Sequence, residues 1–247
     1  MRIALTRLRT AISFFSPMVA DLQRTRIRNE LKWLHTNLGA VRDLDVAIER
    51  LKEVNKRAKA TPDYQALKAR RADSHRRLAR ALRSIRYRRL VESACGWIES
   101  GPWSMKTGRK TRLRRASPFD TNGARKLERW LKKLLKKSRR VQAMSAKKRH
   151  QLRQMTKKLC YPVEFLADLY SEKQSSKHQA ALKYLRQAQK SLGVLNDDAE
   201  NKTLALALKR EGVRLSMPLL DRRHKKRLVR AAGAAYRKLA ELKPIGI

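Results

Sequence analysis

The sequence predicts an all-α protein: two helical bundles related by an internal pseudo-two-fold axis, with a basic groove at the centre. Three observations lead there. Glycine and proline number only 9 and 7 in 247 residues, while strong helix formers are abundant. Apolar residues recur at the helical period along most of the chain. A pattern near the start also returns past the middle, in the manner of a duplication.

The repeat is clearest around His150-Gln151-Leu152-Arg153-Gln154-Met155-Thr156-Lys157-Lys158-Leu159. Here Leu152, Met155, Leu159, Val163 and Leu166 form a core stripe, while His150, Arg153 and Lys157 line another side of the helix. Arg2-Ile3-Ala4-Leu5-Thr6-Arg7-Leu8-Arg9 echoes it, with Arg2 matching Arg153, Arg7 matching Lys158 and Phe14 matching Phe165. A second landmark follows in the same order, with a slip of three residues. Leu38-Gly39-Ala40-Val41-Arg42-Asp43 answers Leu192-Gly193-Val194-Leu195-Asn196-Asp197.

Taken in order, the first helix runs from Arg2 toward Phe15 and stops near Pro17. The second spans about Asp21 to Leu38, with Ile27, Leu31, Leu34 and Leu38 apolar and Gly39 as its stop. Asp43 then caps a helix from Leu44 to Lys59, and a long fourth helix runs from Asp63 to about Ser100. Gly101-Pro102-Trp103 breaks the chain. One domain over 1–247 is therefore expected, in two repeats: a bundle over 1–103, a basic connector over 104–122, and a bundle over 123–247. In the second bundle, helices are expected over Gly123–Met144, from near His150 to about Tyr170 with a kink at Pro162, and over Ser175–Leu192, Asp197–Arg210 and Leu219–Leu242.

Charge speaks to partners. Lys and Arg outnumber Asp and Glu by 62 to 21, a net charge of +41, and such a surface attracts polyanions. Exposed helices ordinarily mix both signs, because like charges four apart destabilise them. Here several stripes are nearly free of acid. Arg125, Arg129, Lys132 and Lys136 form the clearest, continued by Arg139 and Arg140. Arg76, Arg80 and Arg83 form a second, and Lys183, Arg186 and Lys190 a third. Arg24, Arg28 and Lys32, flanked by His35, form a fourth. Aromatic residues make up only 6% and fall at core positions, which leaves few platforms for stacking bases. These features lean toward a ligand that is phosphate and little else, bound by Arg forks and Lys point charges.

Other chemistry finds little support. No G-x-x-x-x-G-K-[ST] loop is present, and the five histidines lack metal spacing. Asp43, Asp45, Asp197 and Asp198 fit helix caps and arginine partners better than a magnesium site. No catalytic residue, cofactor or metal is expected. Cys95 and Cys160 fit reduced thiols in a cytosol-like compartment. No stretch is long and apolar enough to span a bilayer, and Met1 to Phe15 lacks a signal-peptide core.

His150-x-x-Arg153 with Lys157-Lys158-Leu159, its echo at Arg2 to Arg9, the two Leu-Gly landmarks and the closing Tyr236-Arg237-Lys238-Leu239 together resemble the CHAD domain, the conserved histidine α-helical domain. The resemblance covers essentially the whole chain. It implies two bundles around a basic cavity that binds inorganic polyphosphate without known catalysis, in the cytoplasm and at polyphosphate granules. Nucleic acid, held by the same cations, is the alternative partner, and a phosphohydrolase is a more distant one. The candidate polyphosphate ligands are Arg2, Arg7, Arg9, Arg28, Lys32, Arg76, Arg80, Arg83, Arg125, Arg129, Lys132, Lys136, His150, Arg153, Lys157, Lys158, Lys183, Arg186 and Lys190.

The chain departs from the family pattern in three places. The first family histidine would precede Met1, Cys160 stands where arginine is common, and Pro162 interrupts its helix. The first repeat also lacks a counterpart of the Gly123–Met144 helix, which implies that Met1 is an internal position matching Leu152. On that reading Ile3, Leu5, Leu8 and Ile12 are less well covered than Leu152, Met155, Leu159 and Val163.

Overall fold

The structure, a computed structural model, describes residues 1–54, 62–105, 108–109, 119–167, 172–210 and 219–242, and all regular structure among them is helical. Two units divide the chain: Met1–Gly108 with Leu204–Met217, and Arg109–Thr203 with Pro218–Ile247.

In the first unit, α1 (Arg2–Phe14) ends three residues before Pro17. After the turn, Asp21 starts α2 (Leu22–Val54) by accepting from the Arg24 backbone N–H at 2.6 Å. Its other oxygen accepts from the Trp97 indole at 2.9 Å, which joins the start of α2 to the later helix that carries Trp97. Gly39 does not stop this helix. α2 continues through the second landmark as one element of 33 residues, so the expected helices ending at Leu38 and starting at Leu44 are one, and Asp43 caps nothing. The reason is visible in the burial: Ile27, Leu31, Leu34, Val41 and Ile48 are all buried, an apolar stripe that crosses the glycine without losing phase.

The expected fourth helix is instead two, α3 (Pro62–Arg83) and α4 (Ile85–Ser100). Ser84 takes an extended conformation between them, and its hydroxyl accepts from the Tyr87 N–H. Gly101 then ends α4 under a tight constraint, since a Cβ there would lie 2.5 Å from the Trp97 carbonyl oxygen. Leu5, Ile12, Ile27, Leu31, Leu34, Leu90, Ala94 and Trp97 make the core of this unit. Leu5 and Ile12 are buried, as are Leu159 and Val163, and Leu8 and Met155 are both half-covered. The difference expected between the two sets rests on Ile3, 67% exposed against 1% for Leu152.

In the second unit, α5 (Phe119–Ser138) starts earlier than expected and ends earlier, giving way to a 3-10 turn at Val141–Ala143. Of the expected connector, residues 106–107 and 110–118 lie outside the described residues, as do the expected helix ends at Lys59 and Tyr170. Ser145 caps α6 (Ala146–Leu166), which keeps Pro162 inside it, fully buried. Proline has no N–H to give the carbonyl one turn back, so its burial offsets the missing bond. α7 (Glu172–Arg210) runs unbroken through Gly193, so the expected boundary between Leu192 and Asp197 is absent. Ala181, Leu185, Ala188, Leu192 and Leu195 carry its apolar stripe across that glycine. Asp221 caps α8 (Arg222–Glu241), which packs on α5 and on the 3-10 turn.

Candidate anion-binding site

The α6 helix buries Leu152, Thr156, Leu159, Val163 and Leu166 and turns Arg153 and Lys157 away from that core. Its hold on α8 is polar as well as apolar. The Thr156 hydroxyl donates to the Leu152 carbonyl at 2.9 Å, so its lone pair accepts the Tyr236 phenol at 2.6 Å. Burial pushes the Tyr236 phenol up, which keeps it a neutral donor.

Between α6 and α7 lies a cleft of about 440 Å³ edged by Arg153, Lys157, Arg186 and Lys190. Glu164 and Asp197 also border it, so cations outnumber carboxylates by four to two. Glu164 pairs with Arg186 at 3.1 Å. Cys160 lies in the floor, its thiol pushed up to about 12 by burial and then by the neighbouring Glu164, and is therefore un-ionised. Arg153 is the distinctive group. Its Nε is buried without a hydrogen-bond partner and sits 3.6 Å from where a Cβ on Gly193 would be. The glycine of the second landmark thus lies beside the arginine of the first, where a Cβ would make only an ordinary contact.

His150 stands one turn before Arg153 but does not border the cleft. Its Nδ1 is hydrogen-bonded to the Asn196 side-chain oxygen, and its Nε2 to the Gln154 amide at 2.6 Å. Asn196 in turn donates to Glu200 at 2.6 Å. Through Asn196 His150 ties α6 to α7, one turn before Arg153.

Arg186 and Lys190 also border an adjoining hollow of about 430 Å³ that includes Lys183. Five of the sequence-derived candidates, Arg153, Lys157, Lys183, Arg186 and Lys190, are therefore gathered along one stretch of surface. Lys158 is exposed and does not border it. The α5 stripe is elsewhere. Arg125, Arg129, Lys132 and Lys136 are all exposed, and Lys132 pairs with Glu128 at 2.7 Å. Lys132 and Lys136 edge a separate cleft of about 980 Å³ whose walls include Leu131, Val141, Tyr236 and Leu239.

In the first unit, α1 packs on α2 and brings Arg9 near Arg28. Burial, and then the Arg28 charge, pull the Arg9 guanidinium below its ordinary value, the mark of two cations facing one another. Thr6 and His35 approach at 3.5 Å nearby. Arg2, Arg7, Arg28 and Lys32 are exposed, as are Arg76, Arg80 and Arg83 on α3, where Arg76 pairs with Asp73. Arg24 is structural, donating to the Ser16 carbonyl at 3.2 Å.

Neither aspartate pair has the surroundings of a metal site. Asp45 binds Arg71 at 2.6 Å and His75 at 3.1 Å. Among the described residues no group of three or more His, Cys, Asp or Glu side chains is placed to hold a metal. Sequence reasoning missed Gln189 and Glu164 in the cleft, and took Asp197 for a cap. It also passed over the run Arg222-Arg223-His224-Lys225-Lys226-Arg227, whose signal was plain in the charge pattern.

The described residues thus form an all-helical fold with a cation-lined cleft. The CHAD domain model matches residues 1–206, and the chain belongs to the CHAD domain family, which is related to polyphosphate in general. The fold is similar to the crystal structure of the CHAD domain from the plant Ricinus communis, with a TM-score of 0.67 and 23% identity. That likeness covers 100% of this chain and 82% of the plant chain. None of the curated proteins matches.

Proposed function

We propose that this protein binds inorganic polyphosphate without cleaving it, with the α6–α7 cleft as a principal contact. The observation that carries the reading is Arg153, whose Nε is buried without a hydrogen-bond partner, beside three further cations. A buried donor left unsatisfied is costly, and a phosphate oxygen supplies the missing acceptor. Arg186 and Lys190 extend the contact toward Lys183, which suits a chain of phosphates better than a single one. The family's general relation to polyphosphate supports the same ligand.

Nucleic acid is the second reading, favoured by the exposed stripes on α3 and α5 that lie outside the α6–α7 cleft. Competition separates the two. Long-chain polyphosphate is expected to displace a DNA or RNA probe at far lower phosphate concentration than the reverse, at matched ionic strength. Displacement in the opposite order would overturn the proposal. Orthophosphate released from the polymer in the presence of Mg²⁺ would instead establish a phosphohydrolase.

A further inference from the structure

The α8 helix opens with a run of cations of which Asp198 neutralises only Lys225 among the described residues. Arg222, Arg223, Lys226, Arg227 and Arg230 alone line a shallow hollow of about 690 Å³, and all five are exposed or half-exposed. Arg222, Lys226 and Arg230 follow one another four residues apart, as do Arg223 and Arg227. After Asp221 no Asp or Glu occurs until Glu241, and Asp221 is engaged in capping the His224 N–H at 2.6 Å. Lys225 differs from its neighbours, since Asp198 neutralises it at 3.0 Å. The others have no acidic partner among the described residues; Arg227 donates only to His224, at 3.3 Å.

Two physical penalties accumulate here. Like charges four apart repel along the helix, and cations crowd the end where the helix dipole is already positive. A bound polyanion relieves both. The buried side of α8, with Val229, Ala232, Tyr236 and Leu239, fixes the ridge in place. Steps of four residues space its cations by roughly 6 Å over a ridge of about 12 Å. From Arg222 to Ala231 the helix has no Phe, Tyr or Trp, so it offers charge and no aromatic platform on which bases would stack.

We propose that this ridge is a second phosphate-chain site, separate from the α6–α7 cleft, which engages a long polyphosphate already held in that cleft. The proposal rests on the polyphosphate reading of the cleft. Its consequence is avidity: a chain long enough to reach both sites binds the second as an intramolecular event, while a short one gains nothing from it.

The test uses the full chain, with tripolyphosphate as the short probe and long-chain polyphosphate as the long one. Arg222→Glu, Arg223→Glu and Lys226→Glu together place acids near the start of α8, a change that favours the helix and keeps the variant folded. The control reverses Lys68, Arg70 and Arg77, three cations of α3 that border none of the clefts above. The ridge variant is expected to lose about tenfold or more in long-chain affinity, keep its tripolyphosphate affinity within about twofold, and lose clearly more than the control. Equal losses in ridge and control would overturn the site, as would loss of tripolyphosphate binding in the ridge variant. Loss of nucleic-acid binding alone would assign the ridge to that ligand and overturn it too. If Arg153→Glu with Lys157→Glu leaves tripolyphosphate binding intact, the reading of the cleft fails, and this proposal with it.

Discussion

Asp198 illustrates how a single residue can be visible in a sequence while its role is not. It sits within α7, buried, and accepts from the Leu220 backbone N–H at 2.7 Å and from Lys225 at 3.0 Å. Burial opposes its ionisation, but Lys225, the Leu220 N–H and Lys202 outweigh that and hold the carboxyl below its ordinary value. Asp198→Ala strands a backbone donor and a half-buried ammonium, and a loss of roughly 2 kcal/mol is expected in denaturant unfolding at neutral pH. Because the folded pKa is depressed, this contribution is full above the unfolded value, near pH 4, and disappears as pH falls through the folded one. The gap between wild type and Asp198→Ala therefore narrows in acid; a gap that widened there would refute the assignment. The Asp-Asp landmark was legible, yet its partners lie more than twenty residues away, beyond the reach of local spacing. His150 is the same case, since the motif singles it out but not Asn196, its partner from the other landmark.

At the scale of elements, the glycines misled. One glycine within a helix costs only about 1 kcal/mol relative to alanine, less than the burial of the apolar stripe that continues across it in α2 and α7. That stripe was legible: Leu34, Leu38 and Val41 keep the helical period through Gly39. The break at Ser84 was harder to read, because a cap amid arginines carries no glycine or proline to mark it. The continuous α2 makes a direct prediction. A Cβ at Gly39 meets nothing within 4 Å, so Gly39→Ala is expected to stabilise the first unit by about 0.5–1 kcal/mol in thermal or denaturant unfolding. A helix that stopped at Gly39 in the left-handed conformation would give the opposite sign.

Over the whole molecule, composition and periodicity sufficed for the helical fold, and the ordered landmarks for the family. They did not reveal which basic stripes share a cleft. Each stripe looks alike in sequence, whereas Arg153, Lys157, Arg186 and Lys190 meet only because α6 and α7 lie side by side along one cleft. The α5 stripe, the most regular in the sequence, borders a different cleft. Nor does helical patterning tell that the chain from Leu204 groups with the first unit. The central proposal is that the α6–α7 cleft is a site, whereas the α5 stripe contributes only to a diffuse field. Its most direct measurement is polyphosphate affinity across a salt series, for wild type, for Arg153→Glu/Lys157→Glu/Lys190→Glu, and for Arg125→Glu/Arg129→Glu/Lys136→Glu. Removing one cation from the bound phosphate chain is expected to flatten the log–log salt slope by roughly 0.7, the single-strand value. The account predicts that the cleft variant loses at least about tenfold more affinity than the α5 variant, with a flatter slope; equal losses and equal slopes would contradict it.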